Sequence, residues 1–150
     1  MPIIETDLLY AYLSKEDRHH EVASKIFDKI RGSDIKPTPE ISALSLIEVE
    51  ILLKSGILKV RKRKPTDQEI ADYFKEICKA LEIYAIPLNP VTCESMSLSA
   101  SIRAKYRLGY YDSHYAAQAQ LHDKQIISTD KMYDRVVEVK RIDPQTYREK

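Results

Sequence analysis

Apolar positions in this chain come in two alternating rhythms. Short apolar runs at Ile3-Ile4, Ile41 to Ala43, Ile83 to Ile86, Ile126-Ile127 (within Gln125 to Ser128) and Val136 to Val139 are too short for helices and predict strands. Between them, apolar residues recur three and four apart, the spacing of an amphipathic helix. Leu8, Leu9, Tyr12 and Leu13 predict a first helix. Val22, Ile26, Phe27 and Ile30 predict a second from about Asp17, its N-cap, to Arg31, with Gly32 and Ser33 ending it. Leu44, Ile47, Ile51 and Leu52 predict the inward stripe of a third, closed by Gly56. Ile70, Phe74, Ile77 and Leu81 predict a fourth over Asp67 to Leu81. Asn89-Pro90 reads as the start of a fifth that runs to about Tyr106 and closes at Gly109. Asp112 to His122, with Ala116, Ala117 and Ala119, predicts a sixth that packs closely.

Four or five short strands alternating with helices predict the α/β class: a three-layer α/β/α sandwich on a short, mostly parallel central sheet. Right-handed crossovers are the default. The chain shows no repeat or linker, and 150 residues fit one domain over 1–150.

Composition removes several function classes. Lys plus Arg number 24 against 23 Asp plus Glu, for a net charge of +1, so the chain is neither a polybasic arm nor an acidic tail. With 43% hydrophobic residues it is not disordered. No apolar run approaches the ~20 residues a bilayer requires, and no secretory signal stands at the start, so the expected location is cytoplasmic. Cys78 and Cys93 are too few for a disulfide scaffold and lack metal-type neighbours. Three isolated glycines, Gly32, Gly56 and Gly109, exclude a Gly-rich phosphate loop.

In parallel sheets, ligands bind beyond the carboxyl ends of the strands. Acidic residues stand just beyond the predicted strands. Glu5 and Asp7 come after the first; Ser128, Thr129 and Asp130 come after Ile126-Ile127. Glu48 lies in line with Leu44 and Leu52 on the third helix, and Asp112 opens the sixth. Carboxylates gathered at one edge repel one another and raise each other's pKa, a cost that a divalent cation relieves. Oxygen donors without Cys or His suit Mg²⁺ or Mn²⁺. Such a centre activates water and stabilises an in-line displacement at phosphorus, which fits phosphodiester hydrolysis.

These stretches resemble the four ordered motifs of PIN-domain ribonucleases. Ile3-Ile4-Glu5-Thr6-Asp7-Leu8-Leu9-Tyr10-Ala11 is similar to the opening motif, Leu46-Ile47-Glu48-Val49 to the second, Leu108 to Ala119 around Gly109 and Asp112 to the third, and Ile126-Ile127-Ser128-Thr129-Asp130-Lys131-Met132-Tyr133 to the fourth. The chain looks most like the VapC-type toxin and archaeal single-domain branches. The resemblance implies a PIN-like fold of Rossmann-like topology and a Mg²⁺- or Mn²⁺-dependent endoribonuclease. Glu5, Asp7, Glu48, Asp112 and Asp130 would be its metal-binding and catalytic residues, with Thr6 and Ser128 supporting them. It also implies an RNA substrate, a cognate antitoxin as partner of a toxin, and a homodimer. One departure stands out: Glu5 occupies the usual Asp position and Asp7 the usual Asn or Ser, so either can be the first ligand. An alternative is a catalytically weak or inactive PIN-like module that binds RNA or protein.

Other residues have two uses each. Asp112 and Asp130 also suit helix N-caps, and Glu48 an ordinary helix surface. Lys59, Arg61, Lys62, Arg63 and Lys64 form a solvated basic run able to meet RNA phosphates; Arg103 and Arg107 can do so nearer the acids. Tyr110 and Tyr111 flank Asp112 and can pack in the core or stack on a base. Adjacent His19 and His20 do not share a helix face. A phospho-acceptor receiver domain is disfavoured, because no Asp follows Ile83 to Ile86.

Overall fold

The computed structural model of the chain describes residues 1–32, 34, 37–60 and 62–149. Ser33 at the end of the second predicted helix and Arg61 of the basic run lie outside the described residues. Among the described residues, chain order is β1 (Ile3–Ile4), α1 (Thr6–Leu13), α2 (His20–Arg31), β2 (Glu40–Ser42), α3 (Ala43–Ser55), α4 (Asp67–Ile83), β3 (Leu88–Asn89), α5 (Cys93–Tyr106), α6 (Tyr110–Leu121), β4 (Gln125–Ile127), a 3₁₀ turn (Lys131–Arg135), β5 (Lys140–Ile142) and α7 (Pro144–Glu149). The strands form one sheet in the order β3-β2-β1-β4-β5, every pairing parallel.

Alternation along the strands separates two cores. Ile4, Ile41 and Ile127 join Leu8, Phe27, Val49 and Ile77 on one face. Ile3 and Ile126 join Ile102, Tyr115, Ala116 and Tyr133 on the other. Successive strand residues point to opposite faces, so β1, only two residues long, feeds both cores and is fully buried. This is the three-layer sandwich expected. No described helix is long and apolar enough to cross a membrane.

Several elements differ from the pattern-based expectation. The chain reverses at Ala85 (φ 50°), and the strand forms after Pro87 rather than at Ile83–Ile86. Ile83 ends α4, 61% exposed. Pro87 has no N–H to give a ladder, but its carbonyl accepts from Ile41 N–H at 3.1 Å. Val136–Val139 is not a strand: Val136 and Val139 are buried three apart while Val137 is 81% exposed, a turn's spacing. The ladder resumes at Lys140. The stripe expected on α3 is also different. Ser45, Val49 and Leu53 face inward, and Ile47 and Ile51 are each 50% exposed. Apolar residues ring this helix, so periodicity selects no face.

Caps explain other boundaries. Thr92, not Asn89, starts α5, in a reciprocal capping box with Ser95. Arg107, in the left-handed region at φ 55°, ends it, and Gly109 precedes α6 as its N-cap instead of closing α5. Asp17 accepts from the His19 N–H at 2.7 Å, just before α2. The cysteines are exposed and unpaired.

Candidate active site

The chain runs outward from β1 to β2 and β3, then returns across β1 to β4. The reversal lies between β1 and β4, where loops leave in opposite directions and open a crevice. Glu5 and Ser128 come off these two strands side by side, since Glu5 N–H donates to the Ile127 carbonyl at 3.1 Å. Ser128 is fully buried; its Oγ donates to Glu5 Oε2 and accepts from the Asp130 N–H at 2.9 Å. Thr129 next to it donates its N–H to Asp7 Oδ2 at 3.2 Å and its hydroxyl to the same oxygen. The β4 end thus holds both acids of the first segment, one residue for each.

Burial pushes the Glu5 carboxyl well above the usual range. Asp7, Asp112 and Asp130 push it further, and the Ser128 hydroxyl opposes the rise. Asp7 is also raised by burial, less so because Thr129 and the Leu8 N–H favour its charged form. Its Oδ1 is buried with no hydrogen-bond partner.

Glu48 reaches the same edge from α3. Tyr115 on α6 donates its hydroxyl to Glu48 Oε2 at 2.5 Å, and Thr6 Oγ1 stands 2.7 Å from the Tyr115 oxygen. Burial raises Glu48, and Asp112 and Asp7 add to the rise. Asp112, on the first turn of α6, is raised by burial and then by Asp130, with the Gly109 backbone opposing. A Cβ on Gly109 would meet Asp112 Oδ2 at 2.5 Å, so the glycine makes room for that carboxylate. Asp130 is exposed and caps the 3₁₀ turn, accepting from Met132 N–H at 2.7 Å. Its capping role leaves Oδ2 uncommitted there.

All five predicted acids therefore meet at one edge of the sheet. Among the described residues no three Asp, Glu, His or Cys side chains stand close enough to hold an ion as placed, although their charges act on one another. Charge and chemistry still fit a hard divalent cation: the donors are oxygens, burial and then neighbouring carboxylates raise Glu5, Glu48 and Asp112, and Asp7 Oδ1 is buried without a partner. Ser128 bonds Glu5 directly, and Thr6 meets the Tyr115 hydroxyl that bonds Glu48. The sequence singled out neither Thr129 nor Tyr115 as a site residue. Nor did it single out Tyr133, whose buried hydroxyl has no partner and is raised by burial first and by the charge of Glu5 next. Tyr115 lies one helical turn beyond Asp112, on the same face; that spacing was its only signal.

The remaining candidates, and other charged groups, fall elsewhere. Arg63 is held by both oxygens of Glu69, at 2.6 and 2.9 Å. Lys59 and Lys62 line a groove of about 650 Å³ with Tyr10, Lys15 and Tyr73. His20 bonds the Ala11 carbonyl and His122 bonds Asn89. Asp134 pairs with Arg141.

Known proteins share this arrangement at the level of the fold. A toxin–antitoxin complex from Klebsiella pneumoniae is 16% identical, covering 96% of this chain and 98% of its own, with a TM-score of 0.64. The FitAcB crystal structure from Neisseria gonorrhoeae is 16% identical over 97% and 99%, with a TM-score of 0.70. VapBC2 from Rickettsia felis, bound to a DNA fragment from its promoter, is 12% identical over 93% and 96%, with a TM-score of 0.60. No curated protein sequence matches the chain. The PIN domain family model matches residues 3–139, a span that contains all five converging acids, and the chain belongs to the PIN domain family.

Proposed function

We propose that this chain is a metal-dependent ribonuclease that hydrolyses RNA phosphodiester bonds, as the toxin of a toxin–antitoxin pair. The carrying observation is the convergence of Glu5, Asp7, Glu48, Asp112 and Asp130 beyond β1 and β4 with Glu5, Asp7, Glu48 and Asp112 raised. These residues would hold Mg²⁺ or Mn²⁺. Bound there, the cation supplies an activated water and stabilises negative charge on the phosphoryl oxygens. The protein's own part is positional. Ser128 fixes Glu5, Thr129 fixes Asp7, and the Tyr115 hydroxyl, with Thr6 beside it, fixes Glu48.

A cognate antitoxin is the proposed partner, supported by the likeness to toxin–antitoxin complexes. A second copy of the chain is also proposed, supported by the exposed Ile47 and Ile51 on α3. Light scattering of the purified chain tests the homodimer: dimer mass supports it, and monomer mass at micromolar concentration contradicts it.

Single-stranded RNA is cut with Mn²⁺ and not in EDTA, and Asp112→Asn lowers the rate by more than about a hundredfold, beyond what loss of an outer partner costs. Cleavage that survives EDTA, or Asp112→Asn, contradicts the mechanism. A binding module without catalysis is the second reading. The longer Glu5 and the absence of three closely grouped ligands among the described residues favour it. Calorimetry that finds no divalent binding at millimolar concentration would select it.

A further inference from the structure

Tyr110 opens α6 and is 53% exposed, yet its ring is held on several sides. The Arg103 guanidinium of α5 lies over it, 4.9 Å from the centroid. The His114 ring packs at 4.8 Å and 63°, and Tyr111 meets it edge-on at 5.5 Å and 89°. Ser113 ties the group together: its Oγ donates to the Tyr110 carbonyl at 2.7 Å and accepts from Arg103 Nη1 at 3.2 Å. Under it, His114 is 1% exposed and stands 3.4 Å from Ser99 Oγ. Arg103 has no carboxylate within ion-pair distance among the described residues.

An exposed ring free to rotate costs entropy when it binds. A ring already fixed avoids much of that cost. A cation over an aromatic ring with no counter-ion is moreover an arrangement that suits one nucleotide. The half-exposed ring offers a base the surface that Arg103 does not cover, and the guanidinium offers a phosphate the N–H groups that Ser113 does not take.

We propose that Tyr110 and Arg103 form a nucleotide subsite beside the acids, where an unpaired RNA base stacks on Tyr110 and Arg103 holds an adjoining phosphate. The subsite rests on the ribonuclease reading and adds to it the form of the substrate. Residues two apart on a helix face opposite ways, so Tyr110 looks toward α5 and Asp112 toward the acids. Tyr111 lies between, close enough to Glu48 to feel its charge. The strand therefore crosses the start of α6, with one nucleotide on Tyr110 and a neighbouring phosphate at the carboxylates. A base inside a duplex has no free face to stack, so the subsite selects single strands.

Fluorescence anisotropy with a 5′-fluorescein single-stranded RNA oligonucleotide, in EDTA, tests this without cleavage. Circular dichroism verifies that each variant is folded. Tyr110→Ala weakens binding by about ten-fold, the usual effect of losing one base–aromatic stack. Tyr110→Phe keeps the ring and restores affinity. Arg103→Gln weakens binding and lowers the salt slope by about one. An oligonucleotide series with one abasic position moved along the strand contains a position that weakens the wild type and not Tyr110→Ala. The proposal is overturned if Tyr110→Ala binds as tightly as wild type, or if every abasic position weakens both proteins equally. If Tyr110→Ala also cuts RNA at the wild-type rate with Mn²⁺, only the subsite fails. Wild-type protein that neither binds nor cuts RNA ends both proposals.

Discussion

Glu5 carries the strongest electrostatic demand among the converging acids. It is 8% exposed, next to Asp7, and stabilised by a single hydroxyl from Ser128. A buried carboxylate among like charges is costly unless partnered. Tyr115 solves the same difficulty for Glu48, and its contribution is measurable. Tyr115→Phe keeps the ring in its core but removes the donor at 2.5 Å from Glu48 Oε2. It costs about 1–2 kcal/mol in a denaturant melt and weakens Mn²⁺ binding in calorimetry by about 10- to 100-fold. An unchanged Mn²⁺ affinity would assign Tyr115 to packing alone. The acids were legible in the sequence, because each follows an apolar run or opens a helix and strand ends face one edge. Their supporting hydroxyls were not. A tyrosine among alanines on a packed helix reads as core, and the difference lies in where its oxygen points. Thr129 stands between Ser128 and Asp130, where sequence cannot tell which of three neighbours bonds which acid.

At the scale of elements, a missing methyl group at the start of α6 leaves room for the Asp112 carboxylate. Gly109 has φ −61°, which any residue can adopt, so its role is space and not backbone freedom. A Cβ there meets Asp112 Oδ2 at 2.5 Å. Gly109→Ala is expected to turn that carboxylate away: Mn²⁺-dependent cleavage falls at least about ten-fold, while stability, measured by urea melt, changes by roughly 1 kcal/mol or less. Equal losses in both would show a general folding defect. Helices with long apolar spacing, such as α2 and α4, were legible to within a few residues. The strands were less so, because two or three residues cannot display a period of two. β3 and β5 were displaced to Ile83–Ile86 and Val136–Val139 for that reason, and α7 was not anticipated. On α3 the error was of face: apolar residues on all sides leave the choice to tertiary contacts.

For the whole molecule, the acids make stability depend on pH and metal together. Glu5, Asp7, Glu48 and Asp112 have folded values above the ordinary 4.5 for Glu and 3.8 for Asp. The folded chain therefore binds more protons than the unfolded one. The stability they contribute is fully present below the ordinary values and is lost as pH rises through the folded ones. Glu69 and Glu138 act oppositely. Hydrogen bonds from Arg63 and Lys105 hold them at about 2, so their contribution is lost as pH falls toward that value. In EDTA the melting temperature should rise as pH is lowered from neutral toward the ordinary carboxylate values, then fall under stronger acid. Mn²⁺ at a hundred times its Kd should add about 2.7 kcal/mol at neutral pH and flatten the slope. A melting temperature that is flat over this range in EDTA would contradict the raising of these acids by burial and by one another. The same convergence also sets a schedule for synthesis. Glu5 and Ser128 lie 123 residues apart, and β1 sits between β2 and β4 with no neighbour from its own vicinity in the chain. At ribosomal speed, about ten seconds pass between the two. Through that interval the emerging polypeptide carries its first acids without their β4 partners, and the edge where the acids converge is unbuilt. On the proposed ribonuclease reading, a chain arranged this way would leave the messenger being translated uncut, and a product cut short before Asp130 would lack one of its five acids.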